Sequence, residues 1–177
     1  ECVHKLRATH SAIIVGADTA LADDPMLTAR TTPPTATQPV RIVADSRLRT
    51  PLTSKLATTT GEARTVLASG LDIEEDAERP FLALGVEVWS LPIAPAGGVS
   101  VTAISSRCAE EGLDTLFIEG GGRLAASFLQ AGLIDRIEWF RAPIILGGDG
   151  LPCVATLGLE ALAEAPKFRR ESIQESG

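Results

Sequence analysis

Short, unbroken apolar runs set apart by amphipathic or turn-rich stretches govern what this chain can fold into. Residues 11–16, 40–44, 65–68, 86–91 and 115–118 each have the length and composition of a buried strand. Between them lie helical patterns. Residues 3–10 read as the end of a helix, and Asp18 or Thr19 is placed to cap a short turn that runs to Asp24 and stops at Pro25. Residues 31–39 hold three prolines and read as a loop. Five acids within residues 72–78 suit the first turn of a helix, where they complement its dipole. Further helices are predicted over 101–111 and 123–131, the latter closed by Gly132. More strand is expected at 135–141 and 143–146, a turn at 147–150, and an edge strand at 168–173. Alternation of this kind predicts an α/β sandwich around a mainly parallel sheet.

With 177 residues the chain suits one domain with a sizeable core. Its 45% apolar and 22% charged residues match an ordinary globular protein rather than a disordered one. Aromatic residues make up 4%, Tyr is absent and the net charge is −7, which argues against nucleic acid as a partner. The apolar runs are too short to span a membrane, and no secretory signal opens the chain. Three widely spaced cysteines and two histidines provide too few ligands for a metal site, and the thiols read as reduced and cytosolic. The acidity is uneven. Residues 51–114 hold ten acids against four bases, whereas residues 1–50 hold five against six. An anionic ligand is therefore compatible with the first third of the chain.

Three places carry candidate chemistry. The first is the strand–glycine–helix junction at 115–131, where Glu119-Gly120-Gly121-Gly122 precedes a helix. A helix start presents unpaired N–H groups, and glycines let a phosphate approach the backbone. Gly120-x-Gly122-x-x-Ala125 satisfies a dinucleotide pattern, but no acid follows at the end of a next strand, so an ordinary Rossmann domain is disfavoured. A tight turn with close helix–sheet packing explains the same glycines, and both readings stand at this point. The second is residues 21–30, where Asp23 and Asp24 precede Pro25 and Arg30 follows; the acids cap amides or end a helix, and Arg30 suits an anion. Arg7 is the third. No nucleophile elbow or phosphate loop of the Walker type is present.

Four segments, in their order along the chain, carry a resemblance. They are Leu6-Arg7-Ala8 leading into residues 12–17; residues 19–25 with Leu27 and Arg30; residues 39–46 with Leu48-Arg49-Thr50-Pro51; and residues 117–122 with Phe128-Leu129, residues 132–135 and Ala142-Pro143. Together they resemble the reductase domain of the bacterial bifunctional riboflavin-biosynthesis deaminase–reductase. The resemblance implies a dihydrofolate-reductase-like three-layer sandwich with a central mixed, mainly parallel sheet. It implies NADPH-dependent reduction of 5-amino-6-(5-phosphoribosylamino)uracil to 5-amino-6-(5-phosphoribitylamino)uracil, with hydride delivered to C1′ of the ring-opened sugar. Arg7, Leu27, Arg30 and Glu119 correspond to substrate contacts, the two arginines as clamps for the ribose phosphate. Thr19, Asp23 and Ser46 correspond to cofactor contacts, as does the backbone of Gly121, Gly122, Arg123, Leu124, Ala125, Ala126 and Ser127. Asp24 and Pro25 then read as structural. No group is assigned as catalytic.

The resemblance further implies a cytoplasmic homodimer acting on a phosphorylated small molecule, with a deaminase domain on the same native chain. The family's reductase domain opens with a strand bearing a lysine, which does not precede Glu1, and its last strand continues past Gly177. Residues 1–177 are thus expected to be a reductase domain incomplete at both ends, lacking the deaminase zinc motif. Two alternatives are a reductase of another pyrimidine or pterin and a non-catalytic nucleotide-binding fragment; the arginine pair favours a phosphorylated substrate.

Overall fold

β1 (Ala12–Gly16) is the axis of the molecule, whose computed structural model describes residues 2–145, 147 and 150–174. Its Ala-Ile-Ile-Val run is buried because β1 pairs in parallel on both sides. Ala12 to Gly16 face Val40 to Ala44 of β2 (Val40–Ala44), and Ala12 to Ile14 face Leu116 to Ile118 of β5 (Leu116–Ile118). Outward from β2 come β3 (Thr65–Gly70) and β4 (Glu87–Leu91), so the strand order is β4-β3-β2-β1-β5, with every described pair parallel. The chain walks from β1 to β4 in one direction, then returns to place β5 on the other side of β1. That reversal is a topological switch point, and it lies at the carboxyl ends of β1 and β5.

The period of two along each strand sends apolar side chains to both faces, as a covered parallel sheet requires. Ile14, Ile42, Val66 and Trp89 pack under α5 (Val101–Glu110) and α6 (Gly122–Gln130), which contribute Ile104, Cys108, Leu124 and Phe128. Ile13, Val15, Val43 and Leu67 pack under α2 (Ala17–Asp23), α3 (Lys55–Thr58) and α4 (Glu75–Ala83), which contribute Ala17, Ala20, Leu56 and Phe81. α1 (Cys2–Thr9) precedes β1. Arg64, ahead of β3, grips Glu87 of edge strand β4 through both carboxylate oxygens and also reaches Glu111 after α5 at 3.0 Å. The Arg64 bonds hold Glu87 below the usual carboxylate range.

One polar side chain breaks the apolar pattern. Arg41 of β2 is fully buried on the α2–α4 face, between Ile13 and Thr65 on the neighbouring strands. Its guanidinium donates to Met26 O at 3.2 Å, Thr59 O and Thr59 Oγ1 at 2.9 Å, Ala63 O at 2.8 Å and Thr65 Oγ1 at 2.6 Å. None of these acceptors is a carboxylate. Carbonyl and hydroxyl dipoles replace the water that a buried cation loses, while burial pulls its pKa below the ordinary value.

The five predicted strands and the helices at 101–111 and 123–131 are present with small shifts at their ends. The acid-rich stretch enters α4, whose first turn holds Glu75, Asp76 and Glu78. Gly16, not Asp18 or Thr19, is the N-cap of α2, because the strand runs into the helix without an intervening residue. α3 was not anticipated; Ser54, whose Oγ accepts the Ala57 N–H at 3.2 Å, was the available signal. Residues 135–141, 143–145 and 168–173 form no strand. Their apolar content is strand-like, but a strand needs a paired edge, and Trp139, Phe140, Ile144 and Ile145 instead lie exposed. Leu146 and half of the predicted turn, Gly148 and Asp149, lie outside the described residues. The antiparallel part of a mixed sheet is thus absent from the described strands. Among the described residues no helix is long and apolar enough to cross a membrane.

Replacing Arg41 by Met, which keeps most of the volume, leaves Met26 O without its donor, whereas Thr59 O keeps Glu62 N and Ala63 O keeps Thr65 Oγ1. An unsatisfied buried carbonyl costs roughly 1–3 kcal/mol, so a net loss of about 2 kcal/mol is expected. A urea denaturation series checks this, and an unchanged midpoint contradicts it.

Candidate active site

The switch point is where two βα turns meet. Glu119 N donates to Ile14 O at 2.9 Å and extends the β1–β5 ladder by one residue, after which the chain turns through Gly120 (φ +87°) and Gly121 (φ +90°) into α6. A Cβ on Gly121 would lie 3.2 Å from Thr19 Oγ1, so the left-handed backbone and the close α2 neighbour both call for glycine. No side chain caps α6, so the N–H groups of its first turn have no side-chain partner there. From Ala125 onward the amides are spent within the helix, beginning with Ala125 N on Gly121 O at 3.1 Å. Leu124 and Ala126 point into the core, and Ser127 Oγ donates back to Arg123 O at 3.0 Å. The proposed cofactor backbone therefore offers donors at Gly121, Gly122, Arg123 and Leu124, whereas Ala125, Ala126 and Ser127 have no N–H to offer a ligand. Gly122 meets the chain again: Ala155 N donates to Gly122 O at 2.9 Å, and a Cβ there would lie 2.6 Å from Pro152 O.

Two more loops reach the same end of the sheet. Thr19 lies on α2 one turn before Asp23, which places both on one face of that helix; Asp23 is exposed. After β2, Asp45 is fully buried and its Oδ2 accepts Thr50 N at 2.7 Å and Thr50 Oγ1 at 2.8 Å. This staple shapes the loop that carries half-buried Ser46 and exposed Arg47 and Arg49. Asp18 joins the three turns: Arg49 reaches its Oδ1 at 2.8 Å and Arg123 its Oδ2 at 3.7 Å. Loops after β1, β2 and β5 thus converge on one rim.

The predicted substrate side is built on residues 24–30, which have no regular structure yet are held from every side. Asp24, in the left-handed region at φ +40°, accepts Lys55 N at 2.8 Å and so fixes the start of α3. Met26 O is held by Arg41, and Leu27 (φ +51°) is 2% exposed in the core. Thr28 O accepts Arg7 Nη1 at 3.0 Å. Gln38 closes a two-bond pair on Ala29, at 2.7 and 3.0 Å. Arg30 N donates to His4 Nδ1 at 3.2 Å, and its guanidinium stands 3.4 Å from His4 Nε2. Burial, then the charges of Arg30 and Arg7, hold His4 below the ordinary 6.5, which suits the neutral ring that accepts this bond.

Arg7 links this loop to the switch point. Its Nε donates to Glu119 Oε2 at 2.8 Å and its Nη2 to Glu119 Oε1, while Nη1 holds Thr28. Arg7, Glu119, Leu27 and Arg30 are therefore brought into one neighbourhood, but Arg7 enters it already paired. Sequence reasoning assigned no role to His4, nor to Arg41 and Asp45, although the latter two lie within residues 39–46. Among the described residues no group of three or more His, Cys, Asp and Glu comes together; Cys108 is buried and its thiol is pushed up to about 11 by that burial.

The chain matches the RibD C-terminal domain family over residues 1–177. It is 38% identical over 173 residues to the riboflavin biosynthesis protein RibD of Actinobacillus pleuropneumoniae, covering 97% of this chain and 45% of that protein. It is 33% identical over 160 residues to the 2,5-diamino-6-ribosylamino-4(3H)-pyrimidinone 5′-phosphate reductase of Archaeoglobus fulgidus, covering 86% of this chain and 70% of that one. The solved structure of Acinetobacter baumannii RibD, form 2, matches with a TM-score of 0.72 at 28% identity, covering 94% of this chain and 44% of that chain. This chain spans about half the length of the bacterial relatives it matches. It belongs to the RibD C-terminal domain family and has that family's dihydrofolate-reductase-like fold.

Proposed function

We propose that this chain binds NADPH at the carboxyl ends of β1, β2 and β5. There it performs the reductase step of riboflavin biosynthesis, converting 5-amino-6-(5-phosphoribosylamino)uracil to 5-amino-6-(5-phosphoribitylamino)uracil. The observation that carries this reading is the rim joined by Arg49, Asp18 and Arg123, opening over the uncapped start of α6 beside Glu119. A cradle of left-handed glycines and uncapped N–H groups fits a pyrophosphate, and arginines on either side suit phosphate oxygens. When bound, NADPH supplies the hydride. The chain's own residues bind and orient. Gly121 to Leu124 present amides to the pyrophosphate, while Thr19, Asp23 and Ser46 flank it. Arg30 takes the ribose phosphate, and Arg7, Glu119 and the backbone at Leu27 form the rest of the substrate side. Holding both partners at one rim is the main contribution asked of the protein.

A second reading has support in the archaeal relative, which is named for a 2,5-diamino-pyrimidinone phosphate. There the ring still carries the amino group that deamination removes. Offering both substrates to the enzyme separates the two. We further place residues 1–177 as part of a longer chain with a deaminase domain, since the bacterial relatives are about twice this length. The exposed Trp139, Phe140, Ile144 and Ile145 support a homodimer, because apolar patches of this kind mark interfaces. A cytoplasmic setting follows from the cofactor and the phosphorylated substrate.

Titration with NADPH, read by quenching of Trp89 or Trp139, should saturate. Gly121→Ala should weaken binding by about tenfold or more, through backbone strain at φ +90° and collision with Thr19. Saturable binding unaffected by Gly121→Ala would move the cofactor away from α6. Arg30→Ala should raise the apparent KM for the phosphorylated substrate by about tenfold while leaving NADPH binding unchanged. An unchanged KM would remove Arg30 from phosphate recognition.

A further inference from the structure

We infer that Asp18 is an exchangeable counter-anion of the rim: its carboxylate holds Arg49 and Arg123 until phosphates of the dinucleotide displace it. This rests on the rim's assignment to NADPH and goes one step further. Asp18, in the first turn of α2, is the meeting point of the loops after β1, β2 and β5. Its Oδ1 accepts Arg49 Nη2 at 2.8 Å, and its Oδ2 stands 3.7 Å from Arg123 Nη1. The next residue, Thr19, packs on the turn into α6, where a Cβ on Gly120 or Gly121 would lie 3.4 or 3.2 Å from its side chain. One carboxylate beside the cradle therefore spans two cations of the kind that phosphate oxygens take.

The guanidinium of Arg49 has two unlike partners, and the difference decides which of them can leave. Asp45 is fully buried, with Oδ2 closed on Thr50 N and Thr50 Oγ1. Its Oδ1 lies 4.0 Å from Arg49 Nε and accepts no hydrogen bond among the described residues. That uncompensated oxygen keeps Arg49 at the rim from the protein side. Asp18 is the reverse case. Its side chain is 64% exposed, and the arginines it joins are 48% and 90% exposed. Exposed pairs of this kind are weak, and water rehydrates a released carboxylate at little cost. A phosphate brings more oxygens and more charge to the same two arginines, so it takes the Nη2 edge of Arg49 while Asp45 retains the Nε edge. Asp45, Arg49, Asp18 and Arg123 sum to zero charge. A monovalent anion thus gains nothing at the rim that Asp18 does not already supply.

Calorimetric titration of the wild type and Asp18→Asn with NADPH, NADH and inorganic diphosphate tests this. Asparagine keeps the shape of the carboxylate and removes its charge. Asp18→Asn should bind the dinucleotide about threefold more tightly, because the exposed ion pairs no longer have to be broken. Equal gains on NADPH and NADH assign the exchange to the diphosphate, and a gain confined to NADPH assigns it to the 2′-phosphate. With Arg49→Met and Arg123→Met also in place the gain should vanish, since Asp18 then has no arginine to release. Weaker binding by Asp18→Asn would make Asp18 a positioning group, and a gain that survives loss of both arginines would make it a general repulsive charge. Either result overturns the exchange, as does an unchanged affinity. Inorganic diphosphate should show the same response to these variants, and it needs neither nicotinamide nor turnover. That response without dinucleotide binding would uphold Asp18 and sink the proposed reaction; if none of the three probes binds the wild type, both fall.

Discussion

A single guanidinium buried in the sheet is the constraint on which the site depends. Arg41 has no counter-ion among its hydrogen-bond partners, so its charge is solvated by what the chain brings to it. Those acceptors come from the 24–30 loop, the turn after α3 and the start of β3, elements whose Leu27, Leu56 and Leu67 also share one core. A buried cation lacking such partners would be costly by several kcal/mol, so folding must assemble all of them together. The result is a loop without regular structure that behaves as part of the sheet.

From that anchor the substrate side is assembled outward. Met26 is fixed by Arg41, and Leu27 is driven into the core at the cost of a left-handed backbone. Thr28, Ala29 and Arg30 are then held by Arg7, Gln38 and His4 in turn. Such an arrangement suits a reductase that contributes mainly orientation, since small displacements of bound partners reduce rates sharply. The cofactor side uses a different device. Its loops are short βα turns fixed by strand register, with Asp45 stapling one and Thr19 packed on the glycines of another.

The parts legible in the sequence were those with local causes. Ile13-Ile14-Val15 and its fellow strands declared themselves by apolar runs, and the Gly120-Gly121 turn by residues that adopt positive φ without steric cost. The role of Asp24 as a structural residue was also legible, and the structure supplies its partner, Lys55. What was illegible depends on distance along the chain. Arg41 looks like an ordinary polar residue in a strand, because its acceptors lie 15 to 24 residues away. The Arg7–Glu119 pair spans 112 residues, so no local stretch of sequence reveals it. Residues 135–145 were misread for the same reason: composition supplies strand propensity, but only a partner edge makes a strand. The site residues themselves came from the resemblance, and geometry has since divided them by what each is able to offer.

The most direct test of the anchor is native-state hydrogen exchange on the 24–30 loop. Ala29 N and Arg30 N are held by Gln38 and His4, not by Arg41, in the wild-type protein. If Arg41 fixes the loop, these two amides should lose protection in Arg41→Met while amides of β1 keep theirs under folding conditions. Unchanged protection at Ala29 and Arg30 would show that the loop holds itself, and the account of the site built on Arg41 would fail.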